Sequence, residues 1–159
     1  MHASKHYHYD SYVTSSSAIS WSTNSNSADT VTNASLNFEP SGLPIMIGLI
    51  SYASGAPGYI GVRNQSGASY ADGVIQLDRP LFTAIDAQRL TTQATPASGP
   101  SLWLRQPCSS VFFIDRPPEG TQVNYVLRAY TDTINTYISI VNCYLFAMEI
   151  GGSHYRELI

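Results

Sequence analysis

Charge is scarce in this sequence. Asp, Glu, Lys and Arg make up 12% of its 159 residues, about half of the usual ~25%. The one lysine is Lys5, and the arginines Arg63, Arg79, Arg89, Arg105, Arg116, Arg128 and Arg156 are scattered. With a net charge of −3 and no basic cluster, nothing in the sequence would collect phosphates, so nucleic acid is not an expected partner. Histidine is missing from the whole body of the chain: the four are His2, His6, His8 and His154. A Ser/His/Asp or Cys/His arrangement would need a tail to fold back into a cleft. The body carboxylates Glu39, Asp72, Asp78, Asp115, Glu119 and Asp132 stand beside Gly, Pro, Arg or Thr in expected turns, where turn formation and solvation account for them. Asp86, between Ile85 and Ala87, is the exception. There is no Gly-rich phosphate loop and no Cys-x-x-Cys. No catalytic residue, cofactor or metal ligand is assigned, and the chain is not expected to be an enzyme.

Long apolar runs are missing too. The stretch from Leu43 to Ile50 contains Pro44 and Gly48 and falls far short of the ~20 residues of a membrane span, so membrane insertion is not expected. The N-terminus has no apolar signal region. Two cysteines, Cys108 and Cys143, are too few for a disulfide framework. Cys143 reads as a small buried hydrophobe, and whether the two are bridged stays open. No window of useful length has helical spacing; the best candidate, Ala84 to Leu90, is seven residues long.

What is present is a succession of short alternating segments punctuated by Gly, Pro and Asn. The spacing predicts strands over Val31–Phe38, Pro44–Tyr52, Tyr59–Arg63, Gly73–Leu77, Leu81–Ile85, Gln88–Thr92, Leu102–Leu104, Val111–Ile114, Thr121–Tyr130 and Ile138–Ile150. A polar lead-in adds a strand around Val13 to Trp21. That pattern is an all-β sandwich or barrel, and at 17.3 kDa one domain. The organisation expected is an extended N-terminal arm over 1–30, a sandwich over 31–150 and a C-terminal tail over 151–159.

The closing strand is apolar on both faces. Strict alternation puts Val141, Cys143, Leu145 and Ala147 on one side, and Ile138, Ile140, Tyr144, Phe146, Met148 and Ile150 on the other, with Asn142 interrupting. A strand in a single exposed sheet is apolar on one face only. The second face therefore calls for a sister subunit, and Tyr125, Tyr137, Tyr144 and Phe146 are candidates for the core or for that interface. Tyr52, Tyr59 and Tyr70 flank Gly-rich loops and form a candidate exposed binding loop, since tyrosine offers contact area at low entropy cost. These loops, around 52–73 and 93–107, are expected to face outward. His6 and His8 alternate in an extended segment, so both imidazoles lie on one face about 7 Å apart; three chains round an axis would bring six together, a set that suits a transition metal. The plainer reading is a polar lead-in. Asp115-Arg116-Pro117-Pro118-Glu119-Gly120 is a turn, with Asp115 and Arg116 placed to pair across it.

The run Val111-Phe112-Phe113-Ile114-Asp115-Arg116-Pro117-Pro118-Glu119-Gly120-Thr121-Gln122-Val123-Asn124-Tyr125-Val126-Leu127 resembles a pattern of phage and virus structural proteins. There a strand ending in Asp leads into a Pro-x-Gly-Thr turn and an alternating strand with Tyr. The ending Leu145-Phe146-Ala147-Met148-Glu149-Ile150 is similar too. The family resembled, over about residues 31–150, is the trimeric jelly-roll domains of virion fibres, spikes and decoration proteins, whose sandwich is similar to the tumour-necrosis-factor and C1q heads. No Gly-x-y stem precedes the domain here, a departure from C1q. The resemblance implies a homotrimeric jelly roll located in the virion, acting in particle stabilisation or host attachment. It further implies contacts with other virion proteins through the N-terminal arm and with a host-surface glycan or receptor. A carbohydrate-binding module or lectin is the alternative class.

Overall fold

In a computed structural model, residues 13–51, 56–64, 70–79, 84–93, 102–120, 122–132 and 135–150 are described, with 13–14, 70–71, 84–93 and 102–104 by backbone alone. Eleven strands occupy them: β1 Val13–Ser15, β2 Ile19–Thr23, β3 Asp29–Phe38, β4 Ile45–Ser51, β5 Tyr59–Asn64, β6 Tyr70–Asp78, β7 Ala84–Gln93, β8 Leu102–Pro107, β9 Phe112–Asp115, β10 Val123–Thr131 and β11 Thr136–Glu149. They form two antiparallel sheets. A seven-stranded sheet has the order β8-β5-β11-β4-β9 with β1 and β2 also on β11; a four-stranded sheet has the order β3-β10-β6-β7.

The large sheet is simpler than its strand count. β4 and β5 lie end to end along one side of β11, and β1 and β2 along the other: Ile138 is flanked by Val62 and Thr23, and Met148 by Met46 and Val13. β8 and β9 run end to end outside β5 and β4. Among the described residues the strands thus group into eight long runs, 13–23, 29–38, 45–51 with 59–64, 70–78, 84–93, 102–115, 123–131 and 136–149. The first pairs with the eighth, the second with the seventh, the third with the sixth and the fourth with the fifth. The strand expected around Val13 to Trp21 is present in two pieces, and both are integral to the large sheet. From Val13 on, the lead-in is part of the sandwich, because its alternating Ile19 and Trp21 face the core. Ala84 to Leu90 is strand, inside a β7 that merges the two short segments expected there. Seven residues are too few to hold a helix against a full antiparallel ladder with β6.

Three of the four long runs of the large sheet break on one transverse line. β1 and β2 part at 16–18, β4 ends at Ser51 and β5 starts at Tyr59, and β8 and β9 part at a 3-10 turn over Cys108–Ser110. β11 crosses the line by a bulge: Asn142 has φ 55, and the register shifts between Val141 and Cys143. One extra residue reverses the alternation. Thr136, Ile138 and Ile140 therefore point inward before the bulge, and Cys143, Leu145 and Ala147 after it, all buried. The two apolar faces expected from strict alternation are corrected accordingly. Ile138 and Ile140 belong with Cys143, Leu145 and Ala147 on the core side, and the outward set is Tyr137, Val141, Tyr144, Phe146 and Met148.

The core lies between the sheets. Ile45, Ile47, Leu49, Ile60, Val62 and Phe113 from the large sheet meet Leu36, Phe38, Ile75, Leu77, Tyr125 and Leu127 from the small one. Two turns stack at one end: Gly42 (φ 87) packs on the Glu119 stem, and the Gly120 N–H (φ 72) donates to the Pro40 carbonyl. Both glycines take the left-handed backbone that other residues resist.

Candidate interaction surface

Asp115 ends β9 and faces inward. Its Oδ2 accepts from the Tyr125 hydroxyl at 2.7 Å and lies 3.1 Å from Arg79 Nη1. Asp115 comes from the large sheet, Tyr125 from the small sheet, and Arg79 follows β6, so the cluster ties the sheets together at one end. Arg116 is exposed, and the pairing expected across the turn is replaced by Asp115 with Arg79 and Tyr125. Burial first, then the hydrogen bond and negative charge of Asp115, push the Tyr125 phenol far above its ordinary value. Tyr125 is fully buried within one chain and so belongs to the core.

The outward face of β9, β4 and the second half of β11 is apolar. The pairing sets its rows. Ile114, Met46 and Met148 lie side by side, then Phe112, Gly48 and Phe146, then Ile50 beside Tyr144. Phe112 is 50%, Ile114 56% and Ile50 41% exposed. Gly48 leaves room for a close approach here: a Cβ would sit tight, 3.0 Å from Phe146 Cε1 and 3.1 Å from the Val111 carbonyl oxygen. The Phe146 ring lies across the glycine, and Phe112 flanks the glycine from the other side. None of these eight residues is charged. Three strands about 4.8 Å apart, each contributing alternate residues at about 3.3 Å rise, make a patch on the order of 300 Å². That suits the apolar centre of an interface burying about 800 Å² per partner.

Of the residues singled out by sequence, Tyr144 and Phe146 lie in this patch. Tyr137 is half-buried on the same outward side, on the far half of β11, opposite Arg63. Phe112, Ile114 and Ile50 were missed as surface residues. The signal was the run Val111 to Ile114, apolar at every position and therefore on both faces. Tyr59 is half-buried, with the Arg105 guanidinium carbon 4.7 Å from its ring centroid, a stacking arrangement that occupies one ring face. Tyr52, the histidines and the tail over 151–159 fall outside the described residues, as does the Tyr70 side chain. Within the loops expected at 52–73 and 93–107, residues 59–64, 70–78 and 102–107 are strand. Among the described residues no group of three His, Cys, Asp or Glu side chains is placed to hold a metal ion. No helix there is long and apolar enough to cross a membrane.

No protein-family model matches the chain, and no curated protein matches it. Among solved structures, that of infectious bursal disease virus strain Gx is similar at 14% identity and TM-score 0.40, covering 92% of this chain and 34% of that one. The Gt strain structure gives 11% identity and TM-score 0.26, covering 91% and 38%. The VP2 subviral particle of the same virus gives 13% and 0.23, again covering 91% and 38%. The chain spans about a third of the length of these proteins, and likenesses this weak carry no argument about what it does.

Proposed function

We propose that this chain is a non-enzymatic structural domain of a virion, a homotrimeric jelly roll that decorates a capsid or heads a fibre, spike or tail appendage, and so stabilises the particle or attaches it to its host. The observation that carries the assembly half is the uncharged outward face of β4, β9 and β11, with Phe112, Ile114 and Ile50 in solvent. Apolar side chains gathered in rows on a sheet are the kind of surface that partners cover, and a second copy of the chain is the partner proposed. The nested pairing of the eight runs supports the jelly-roll reading. The virion half rests on the resemblance of Val111–Leu127 and Leu145–Ile150 to virion proteins. β1 enters the sheet beside Met148, and the N-terminal arm is the part of the chain that would engage other virion proteins. A host-surface glycan or receptor would meet the opposite end. Against the alternative of a carbohydrate-binding module stands Arg105, which already stacks on one face of Tyr59.

Native mass spectrometry and light scattering at about 10 µM test the assembly half, in the range where a standard interface holds together. A trimer is expected. Phe112→Ser with Ile114→Thr should weaken association by about 100-fold or more and leave the melting temperature of the monomer unchanged. A wild-type monomer at that concentration overturns the reading. Peptide mass spectrometry of purified particles tests the virion half, and absence of the chain from them overturns it.

A further inference from the structure

The break line of the large sheet brings the two cysteines together. Cys108 opens the 3-10 turn between β8 and β9, and its N–H donates to the Gly58 carbonyl at 3.4 Å. Cys143 follows the Asn142 bulge on the other side of β5, and its thiol lies 3.8 Å from the Tyr59 carbonyl oxygen. The two therefore flank consecutive carbonyls, those of Gly58 and Tyr59, from the strands on either side of β5. Both face the core and are buried, and both are free thiols. They meet because position 58 has no side chain. A Cβ there would lie 3.1 Å from Cys108 Sγ and 2.5 Å from the Asn142 carbonyl oxygen. Across the gap Cys108 is near enough that, after burial, it helps to push the Cys143 thiol up.

We propose that Cys108 and Cys143 are an oxidation site, a dithiol that closes to an intramolecular disulfide across the break line over Gly58. The oxidant is a low-molecular-weight disulfide of the glutathione class. Cys108, whose neighbours Pro107, Ser109 and Ser110 are exposed, meets it first. The Cys108 thiolate attacks one sulfur of the oxidant, forming a mixed disulfide and releasing one small thiol. The Cys143 thiolate then attacks Cys108 Sγ, the mixed disulfide breaks and the second small thiol leaves. Two protein thiols are oxidised, one disulfide is reduced to two thiols, and those thiols carry away both protons. Burial holds Cys143 as a thiol well above the ordinary range, so closure waits on opening of the break line and is slow in the folded protein. The bridge ties the outer run 102–115 to the central run 136–149 and constrains the unfolded chain between them. This inference is independent of the virion reading.

The test uses the full chain incubated with oxidised glutathione, then denatured in alkylating agent and weighed intact. The expected result is loss of two hydrogens, no alkylation, and one cross-linked peptide pair containing Cys108 and Cys143. The melting temperature should rise by roughly 5 °C and return on adding dithiothreitol, while Cys108→Ser and Cys143→Ser each abolish both changes. The wild-type mass needs no variant to fold. Two alkylated cysteines after prolonged oxidation, stable glutathione adducts, or disulfide-linked dimers on a non-reducing gel each overturn the proposal.

Discussion

Tyr125 shows how one side chain can link pH to folding. Its phenol is pushed up by burial and by the hydrogen bond to Asp115, so the folded chain keeps a proton that the unfolded chain releases near pH 10. The folded state then binds more protons than the unfolded state above that pH. The stability from this group is fully present below pH 10 and falls as pH rises further. Tyr125→Phe removes the titration and one buried hydrogen bond to a charged partner, at a cost of about 1–3 kcal/mol at pH 7. Urea denaturation at pH 7 and pH 10.5 checks this: the wild type should lose more stability between the two than the variant does. The Arg79 partner was not legible in sequence, because Asp115 and Arg79 meet only once the two sheets close on each other. Arg116, adjacent in sequence, was the natural but wrong expectation.

At the scale of the element, β11 is decided by Asn142. A left-handed residue in mid-strand costs little for Asn and about 1–3 kcal/mol for a β-branched residue. Asn142→Val should therefore lower stability by roughly 2 kcal/mol, while Asn142→Gly should change it by less than about 1 kcal/mol; urea midpoints of the two variants provide the comparison. The strand itself was legible from its length and apolar content, but its phase was not. Alternation is a rule with a period of two, and one inserted residue moves every later side chain to the other face. The interruption at Asn142 was visible in sequence and is the only mark the bulge leaves there. Gly48 tells a similar story. Its reason, the Phe146 ring lying across it, comes from a strand about a hundred residues away in sequence, on the order of a whole small domain.

For the whole molecule, composition and alternation carried the class: two antiparallel sheets without a long helix among the described residues. Which strands would join end to end was hidden, since the joins depend on where partners stop pairing rather than on local propensity. The candidate surface was half legible. Tyr144 and Phe146 were found from the closing strand, while Phe112 and Ile114 were read only as strand residues. Their place on the sheet edge, beside β4, emerges from the register alone.

That surface lies wholly on one side of the line where the long runs break. The ladder of backbone hydrogen bonds is interrupted there, and the two halves of the sheet are joined chiefly through the unbroken chain of β11. Ligand protection should consequently stop at the crease. In amide hydrogen exchange, assembly is expected to slow exchange in β4, β9 and residues 143–149 by about tenfold or more, in line with opening governed locally, while β5, β8 and residues 136–141 keep the rates of the free chain. Uniform slowing over both halves would mean that the sheet opens as a single plate, and that its crease is a matter of shape with no bearing on how the molecule breathes.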